Sequence, residues 1–450
     1  MNISENTRRL ASRAEKELAP VFDRISAVAR VNTEHVLDVF RECEVSESLF
    51  TPSTGYGYGD RGRDTIDMLA AKIFRAESGF MRSSLLSGTH TLTVGLFGIL
   101  RPGDVMLSVS GVPYDTLLDV IGIDADGKHL DKTSPSAPSS EGSLADYGVT
   151  FDKVELLPDS FTLDEPIDYE GIREKFREYG SRIKMVYIQR SRGYAFRPAL
   201  TCRQIRRAFF ETAKIAEEMG LRKPVFMVDN CYGEFTEETE PCYVPEGMID
   251  EAPADIIAGS LIKNPGGGMA DNGGYICGSA ECVRLCGNRL TSPGVGLEVG
   301  ASLGQNRNML RGLFYAPHTT AQALKTAHLT AYLFDKLGYK VSPGPFEKRH
   351  DIIQTVTLDT PEGLTEFCRG IQAASPIDAF VTPEACEMPG YDDDVVMAAG
   401  AFVGGASIEL SADGPMRAPY IAFMQGGLTY ESARLGVMAA ADRCEEKKKS

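Results

Sequence analysis

The chain has 450 residues, of which 43% are hydrophobic, so it is long enough to bury a large core and to form more than one lobe. Its 47 basic and 63 acidic residues give a formal net charge of -16, which disfavours nucleic acid and other polyanionic partners. The N-terminal segment is charged throughout and no apolar run reaches membrane-spanning length, so we expect a cytoplasmic protein without a membrane partner.

The potential metal ligands are scattered along the chain. Ten cysteines and six histidines occur without CxxC, HExxH or HxH spacing. We therefore predict reduced, mostly structural thiols and no catalytic metal.

The N-terminal part, residues 1–50, is predicted to be a helical segment because its apolar residues recur at helical spacing. A loop rich in glycine and tyrosine follows, with the sequence TPSTGYGYGDRGRD. Its aromatic and cationic residues include Tyr56, Tyr58 and Arg61. A solvated surface loop is one interpretation of these residues.

The segment SGTHT, residues 87–91, joins small residues to the start of an apolar helix. The free amides and the dipole of such a helix N-terminus favour an anion, so Gly88 and Thr89 are candidate phosphate ligands. The flanking Ser87 and His90 are included in the same candidate site. A plain helix cap would give the same pattern.

Short apolar runs alternate with helical stretches through the middle of the chain, which favours a mostly parallel sheet covered on both faces. The runs are VMLSVS at 105–110, KMVYIQ at 184–189, VFMVD at 225–229 and DIIAGS at 255–260. The predicted fold class is therefore α/β, with a large domain over 51–315. A Ser-, Pro- and Gly-rich stretch at 124–148 is predicted to be an exposed excursion.

Beyond residue 315, strand-like runs precede a final helix. The runs are HDIIQTVTLD, IDAFVTP, GASIELSAD and APYIAFMQGG. We predict a smaller α+β domain over 316–450.

A single lysine, Lys263, stands between the apolar run that ends at Ser260 and the glycine-rich stretch NPGGGMADNGG. Burial of a lysine lowers its pKa towards the range in which the amine is nucleophilic. Imine formation with pyridoxal phosphate is one chemistry that needs such a lysine. Asp229 ends another strand, where it either holds the pyridinium proton or simply caps the next helix.

Two more groups would complete such a site. Tyr114 follows a strand and offers an aromatic face to a flat cofactor, with His90 as the competing ring and a solvated loop tyrosine as the simpler interpretation. Ser260 adds a hydroxyl for a phosphate. The glycines after Lys263 match neither GxGxxG nor a phosphate loop ending in GK[ST], so nucleotide binding is not predicted.

The order of these motifs resembles that of the fold-type I pyridoxal-phosphate enzymes, in particular the cysteine and methionine metabolism group. The segments YGYGDRGRD, SGTHT, LIKNPGGGMADNGGYICG and QGGLTYE resemble its methionine γ-lyase-like branch, also called the aluminium-resistance family. The resemblance implies a carbon–sulfur lyase that uses pyridoxal 5'-phosphate and acts on a sulfur-containing amino acid, by methionine γ-lyase-like or cystathionine β-lyase-like elimination. An aminotransferase and a non-catalytic regulatory or assembly descendant of the fold are the alternatives.

The resemblance also implies residue roles. Lys263 would be the Schiff-base lysine, Asp229 the partner of the pyridine nitrogen and Tyr114 the ring that stacks on the cofactor. The phosphate would be held by Gly88, Thr89 and Ser260. Gln189 would lie near the ring hydroxyl, where better-known lyases have a different sequence.

Enzymes of this group are dimers or tetramers in which a tyrosine and an arginine reach the neighbour's cofactor phosphate. The resemblance therefore implies a homodimer or homotetramer whose sites are shared through Tyr56, Tyr58 and Arg61. For the substrate carboxylate we predict Arg417, which precedes a strand of the small domain and can bind through two parallel hydrogen bonds. Arg434, within a predicted helix, is the rival.

Overall fold

The computed structural model describes residues 3–130, 141–388, 391 and 393–449, which form α-helices and two sheets. The α-helices are α1 (Glu5–Glu42), α2 (Arg61–Ile73), α3 (Gly88–Ile99), α4 (Leu118–Ile121), α5 (Tyr169–Tyr179), α6 (Cys202–Glu218), α7 (Ala280–Leu290), α8 (Asn306–Lys336), α9 (Pro361–Gln372) and α10 (Tyr430–Lys449). The strands are β1 (Ser78–Arg82), β2 (Val105–Ser108), β3 (Thr150–Lys153), β4 (Ile183–Gln189), β5 (Val225–Asp229), β6 (Ile256–Ser260), β7 (Gly274–Gly278), β8 (Lys340–Ser342), β9 (Gln354–Thr357), β10 (Val395–Ala398), β11 (Ser411–Pro415) and β12 (Ile421–Gln425).

The larger sheet has seven strands in the order β1-β7-β6-β5-β4-β2-β3. The pairs from β3 to β6 are parallel, whereas β7 is antiparallel to both β6 and β1. The carboxyl ends of β4, β5 and β6 therefore meet at one edge, and Gln189 is opposite Asp229. The predicted α/β class is confirmed.

The central strands read as continuous apolar runs because both of their faces are covered. Ile188, Val228 and Ile257 pack into one core cluster. Tyr187 and Met227, one position earlier on their strands, pack into a different cluster. Since neighbouring residues on a strand point to opposite faces, helices must cover both sides of this sheet.

The smaller sheet has five antiparallel strands in the order β10-β11-β12-β9-β8. Its core includes residues of α1, α8, α9 and α10. The predicted strand IDAFVTP is wrong, because this segment forms bends and turns and its Phe380 is 87% exposed. The segment GASIELSAD contributes only its end, as the start of β11.

Helix α8 is continuous across the predicted boundary between residues 315 and 316. The division into 1–50, 51–315 and 316–450 stays a prediction. Part of the predicted excursion at 124–148 lies outside the described residues. Within the described residues, no helix combines the length and apolarity that a membrane crossing requires.

Helix α8 meets the turn after Lys263 at two glycines. A Cβ atom placed on Gly312 would stand 2.4 Å from the carbonyl oxygen of Gly266. Backbone fills that space, so a side chain at Gly312 would push helix and turn apart.

We expect Gly312→Ala to lower the free energy of unfolding by about 1–3 kcal/mol, because overpacking outweighs the usual helical gain of about 1 kcal/mol for Gly to Ala. Urea denaturation measures this difference. Gly436→Ala in α10 is the control, since the nearest atom there is Cδ2 of Leu410 at 3.0 Å, on a flexible side chain. Equal stability of the two variants would contradict the expectation.

Candidate active site

Lys263 lies just beyond β6 and its amine is held by two hydroxyl groups. Its Nζ donates a hydrogen bond of 2.6 Å to Oη of Tyr232 and one of 3.4 Å to Oγ of Ser407. Tyr232 has a φ of 70°, in the left-handed region that residues other than glycine rarely adopt. Because Ser407 precedes β11, residues near both sheets contact this amine.

The expected lowering of the Lys263 pKa is wrong. Burial by itself lowers the pKa of the amine, but neighbouring groups, among them Tyr232, Cys231 and Asp229, favour the charged form. Together they raise the pKa of Lys263 above its ordinary value. A proton acceptor close to Nζ is therefore part of any reaction in which this lysine acts as a nucleophile.

Asp229 occupies the carboxyl end of β5 and is buried. Its Oδ1 accepts a hydrogen bond of 3.1 Å from the backbone N–H of Cys231. Burial raises the pKa of Asp229, while the bond from Cys231 opposes this shift. A cation placed against this carboxylate would lower its pKa again.

The start of α3 lies against the end of β6. A Cβ atom placed on Gly88 would stand 3.4 Å from Cβ of Ser260, which is ordinary contact. Gly88, Thr89 and Ser260 line the same cavity as Lys263 and Asp229. The structure thus brings together the three residues predicted to hold a phosphate.

Ser87 and His90, the other two candidates of this segment, are not among the residues that line this cavity. The hydroxyl of Ser87 caps α3 by accepting a 3.0 Å hydrogen bond from the N–H of His90. Nδ1 of His90 accepts a hydrogen bond of 3.1 Å from the N–H of Leu86. Ser87 and His90 shape the helix start in this structure.

Tyr114 and Gln189 also line the cavity and contact each other. The N–H of Tyr114 donates a hydrogen bond of 2.6 Å to Oε1 of Gln189. Its hydroxyl lies 2.7 Å from that of Tyr391, and its ring packs edge to face against Tyr194. Gln189 therefore positions the backbone of Tyr114, while Tyr391 and Tyr194 position its side chain.

The cavity has a volume of about 270 Å³ and also contains residues that the sequence did not reveal. Asp413 of β11 lines it and accepts a hydrogen bond of 2.9 Å from the hydroxyl of Tyr194. Burial raises the pKa of Asp413 to about 6. Tyr232, Ser407 and Asp413 lie in unremarkable stretches of sequence, and only the fold brings them to Lys263.

Arg417 is not among the residues that line this cavity. Its Nη1 pairs with Oδ2 of Asp393 at 2.9 Å, and it borders a neighbouring cavity of about 400 Å³ beside Tyr114. Its rival Arg434 pairs with Glu15 of α1 at 2.6 Å. The role of Arg417 as a carboxylate ligand stays a prediction.

The tyrosines of the N-terminal loop are at the surface. Tyr56 and Tyr58 are 73% and 70% exposed, and their rings stack with centroids 5.4 Å apart. Arg61 begins α2 and is exposed. By contrast Arg63 is buried, where it donates a 2.8 Å hydrogen bond to the carbonyl of Gly57.

Glu234 contacts Asn264 in the turn after Lys263, and its carboxyl group is buried. Its Oε1 accepts a hydrogen bond of 2.8 Å from the hydroxyl of Tyr275, and its backbone carbonyl accepts one of 2.9 Å from Asn264. Within the described part of the chain, its Oε2 has no partner. Burial raises the pKa of Glu234 to about 8, so the carboxyl group is neutral at physiological pH.

Comparison with known proteins gives this geometry its context. The family model for methionine gamma-lyase matches residues 7–445. The chain belongs to this family. It is 43% identical over 443 residues to the uncharacterized protein YnbB of Bacillus subtilis, a match that covers 98% of this chain and 97% of YnbB.

Solved structures of other proteins are also similar to this chain. A carbon-sulfur lyase involved in aluminium resistance from Clostridium novyi NT has a TM-score of 0.86 and 41% identity, with coverage of 98% of this chain and 96% of that one. The pyridoxal-5'-phosphate-dependent protein YhfS of Escherichia coli has a TM-score of 0.57 at 13% identity, covering 93% and 96% of the two chains. YhfS thus shares the fold, and the predicted fold-type I architecture is confirmed.

Glu234 makes stability depend on pH. Its pKa is raised from 4.5 to about 8, so its contribution is fully present below pH 4.5 and is lost as pH rises through about 8. We expect Glu234→Gln to lessen the fall in unfolding free energy between pH 5 and 8 by on the order of a few kcal/mol. Urea denaturation at several pH values measures it.

The exposed Glu246 supplies the matched control. Glu246→Gln should leave the pH dependence of the unfolding free energy as it is in the parent protein. Parallel curves for Glu234→Gln and the parent would show that Glu234 is ionised in the folded chain.

Proposed function

We propose that the protein is a carbon–sulfur lyase that uses pyridoxal phosphate and acts on a sulfur-containing amino acid. Membership of the methionine gamma-lyase family implies both the cofactor and the reaction class. The observation that carries the proposal is the convergence of Lys263, Asp229 and the start of α3 in one cavity.

The residues of the cavity fit this cofactor. The N–H groups at the start of α3 and the hydroxyl of Ser260 suit a phosphate dianion. The buried carboxylate of Asp229 suits a protonated ring nitrogen, because burial raises the pKa of this carboxyl group and a further cation beside it would favour its charged form. Tyr114 offers the aromatic ring that would lie on the cofactor. Gln189 offers an amide group for the hydroxyl of the cofactor ring.

Bound pyridoxal phosphate supplies an electron sink for negative charge at the α-carbon of an amino acid. Lys263 is the residue that would hold the cofactor covalently, and its Nζ would be free to take a proton from the α-carbon of a bound substrate. The hydroxyls of Tyr232 and Ser407 orient Nζ, and the Tyr232 hydroxyl is positioned to exchange a proton with it. Asp229 would keep the ring nitrogen protonated through its negative charge.

The proposal is tested by offering cystathionine, methionine, cysteine and homocysteine to the purified protein and measuring keto-acid release. We expect release from at least one of them and a loss of at least about 1000-fold in Lys263→Ala, because no other lysine in the described part of the chain lines the cavity. The visible absorption of the cofactor-loaded protein should disappear from Lys263→Ala after dialysis.

Lys184→Ala is the matched control, because Lys184 is an exposed lysine on a strand of the same sheet. It should retain both the absorption and the activity of the parent. If Lys263→Ala kept the absorption after extensive dialysis, the assignment of the cofactor lysine would be wrong. Absence of keto-acid release from all four compounds by the loaded parent protein would contradict the proposed reaction.

We also propose that the active sites are shared between two subunits. Stacked, exposed tyrosines beside an exposed arginine are costly to leave in water and are typical of contact surfaces. An arginine also suits a phosphate dianion. In this proposal Tyr56, Tyr58 and Arg61 reach the cofactor phosphate of the neighbouring subunit in a homodimer or homotetramer.

Subunit exchange distinguishes this arrangement from a surface loop. We expect Arg61→Ala and Lys263→Ala proteins to be nearly inactive alone and to regain activity when their subunits exchange, because one site in each hybrid dimer has both residues. Up to about a quarter of the parent activity should return. A mixture of Arg434→Ala and Lys263→Ala proteins is the comparison, since Arg434 pairs with α1 of its own chain. No recovery despite proven exchange would place the loop on its own subunit's surface.

A further inference from the structure

A separate polar cavity of about 180 Å³ lies between the segment after β4 and the connection from β8 to β9. It shares no lining residue with the cavity of Lys263. Arg192 and Ala199 contribute from the first segment, and Arg349 and Asp351 from the second. We call it the arginine cavity.

Three arginines at this junction are buried. Arg192, Arg197 and Arg349 are 1%, 8% and 5% exposed. Their guanidinium groups donate to neutral oxygen atoms, as in the 3.1 Å bonds from Arg192 to the carbonyl and the hydroxyl of Ser342. Arg197 donates to three backbone carbonyls, and Arg349 to the carbonyl of Ala327 and the side chain of Gln354. A buried guanidinium without a counterion is costly.

Several of the polar atoms around the arginine cavity lack a partner within the described residues. They are Nε of Arg192, Nε and Nη1 of Arg349 and Oδ2 of Asp351. Buried donors and acceptors are almost always satisfied, by protein groups or by a bound molecule. A molecule that satisfied these atoms would have to accept hydrogen bonds from three donors and donate one to the carboxylate oxygen.

The charges of the lining residues also favour an anionic ligand. Asp351 is the buried carboxylate of the lining, beside the buried guanidinium groups of Arg192 and Arg349, whereas Glu347 and Lys348 at the exposed rim offset each other. His350 also lines the cavity, but its Nδ1 lies 3.2 Å from Oε1 of Glu237. Burial lowers the pKa of Arg197 to about 10 and that of Arg349 to about 9, because the negative charge of Asp351 opposes this shift only in part.

We infer that the arginine cavity binds a small protonated oxyanion of the phosphate class. Its oxygens accept from Arg192 and Arg349, and its own hydroxyl donates to Oδ2 of Asp351. Inorganic phosphate at neutral pH carries both functions, whereas sulfate has no proton to donate and acetate has neither the proton nor the four oxygens. The anion would tie Arg192, which lies between two residues that line the Lys263 cavity, to the β8–β9 connection.

Isothermal titration of the cofactor-loaded protein with inorganic phosphate tests this inference independently of lyase activity. The cofactor's own phosphate then fills the start of α3, so added phosphate does not bind there. We expect saturable binding of one phosphate per chain, and at least about tenfold weaker binding by Arg349→Gln, which loses charge-assisted donors. Arg222→Gln changes an exposed arginine and should bind as the parent does.

Ala199→Leu keeps every charge and fills the cavity, so it should abolish phosphate binding even if Arg349→Gln fails to fold. Sulfate should bind more weakly than phosphate to the parent protein. The inference is overturned if the parent shows no saturable binding, or if Ala199→Leu and Arg349→Gln both bind like Arg222→Gln. Equal affinity for sulfate would overturn the assignment to a protonated oxyanion.

Discussion

The site depends on the parallel pairing of β5 with β6. This pairing places two strand ends side by side at the same edge of the larger sheet, so that Asp229 and the segment leading to Lys263 emerge together. An antiparallel arrangement would send the carboxylate and the amine to opposite edges. Helix α3 then needs only to begin at the same edge for an anion-binding end to face them.

The ionisable groups at this edge are buried or partly buried, and each keeps its position through a specific bond. Tyr232 and Ser407 hold the amine of Lys263, while the N–H of Cys231 holds Asp229. Glu234, which contacts the turn after Lys263, keeps its proton because burial raises its pKa, and its Oε1 accepts a hydrogen bond from the hydroxyl of Tyr275. A neutral acid in this layer adds a hydrogen bond without adding another buried charge near the lysine.

Much of the larger sheet follows directly from the sequence, because strands covered on both faces must be apolar along their whole length. The same reasoning locates Asp229, Ser260 and Lys263, which follow such strands. Tyr232 and Ser407 could not be found in this way, since their contact with Lys263 spans 31 and 144 positions of the chain. The raised pKa of Lys263 depends on those same distant neighbours, so a rule based on burial alone gave the wrong direction.

The smaller sheet was harder to predict because apolar runs in irregular segments imitate strands. Phe380 and Val381 belong to such a run and are exposed, whereas β10 lies in a stretch whose pattern is weak. His90 illustrates a similar limit. Gly88 and Thr89 of the same segment line the cavity, but the ring of His90 accepts a hydrogen bond from Leu86, a detail set by side-chain geometry.

Helix α8 connects the turn after Lys263 to the smaller sheet. It is 31 residues long, which corresponds to roughly 46 Å, and it touches the lysine turn near one end while its other end is embedded in the core of the smaller sheet. The helix therefore joins the two directly. Lys263 and Asp413 line the same cavity, so the lysine turn and the smaller sheet are connected by one continuous helix as well as by the residues that meet across the cavity.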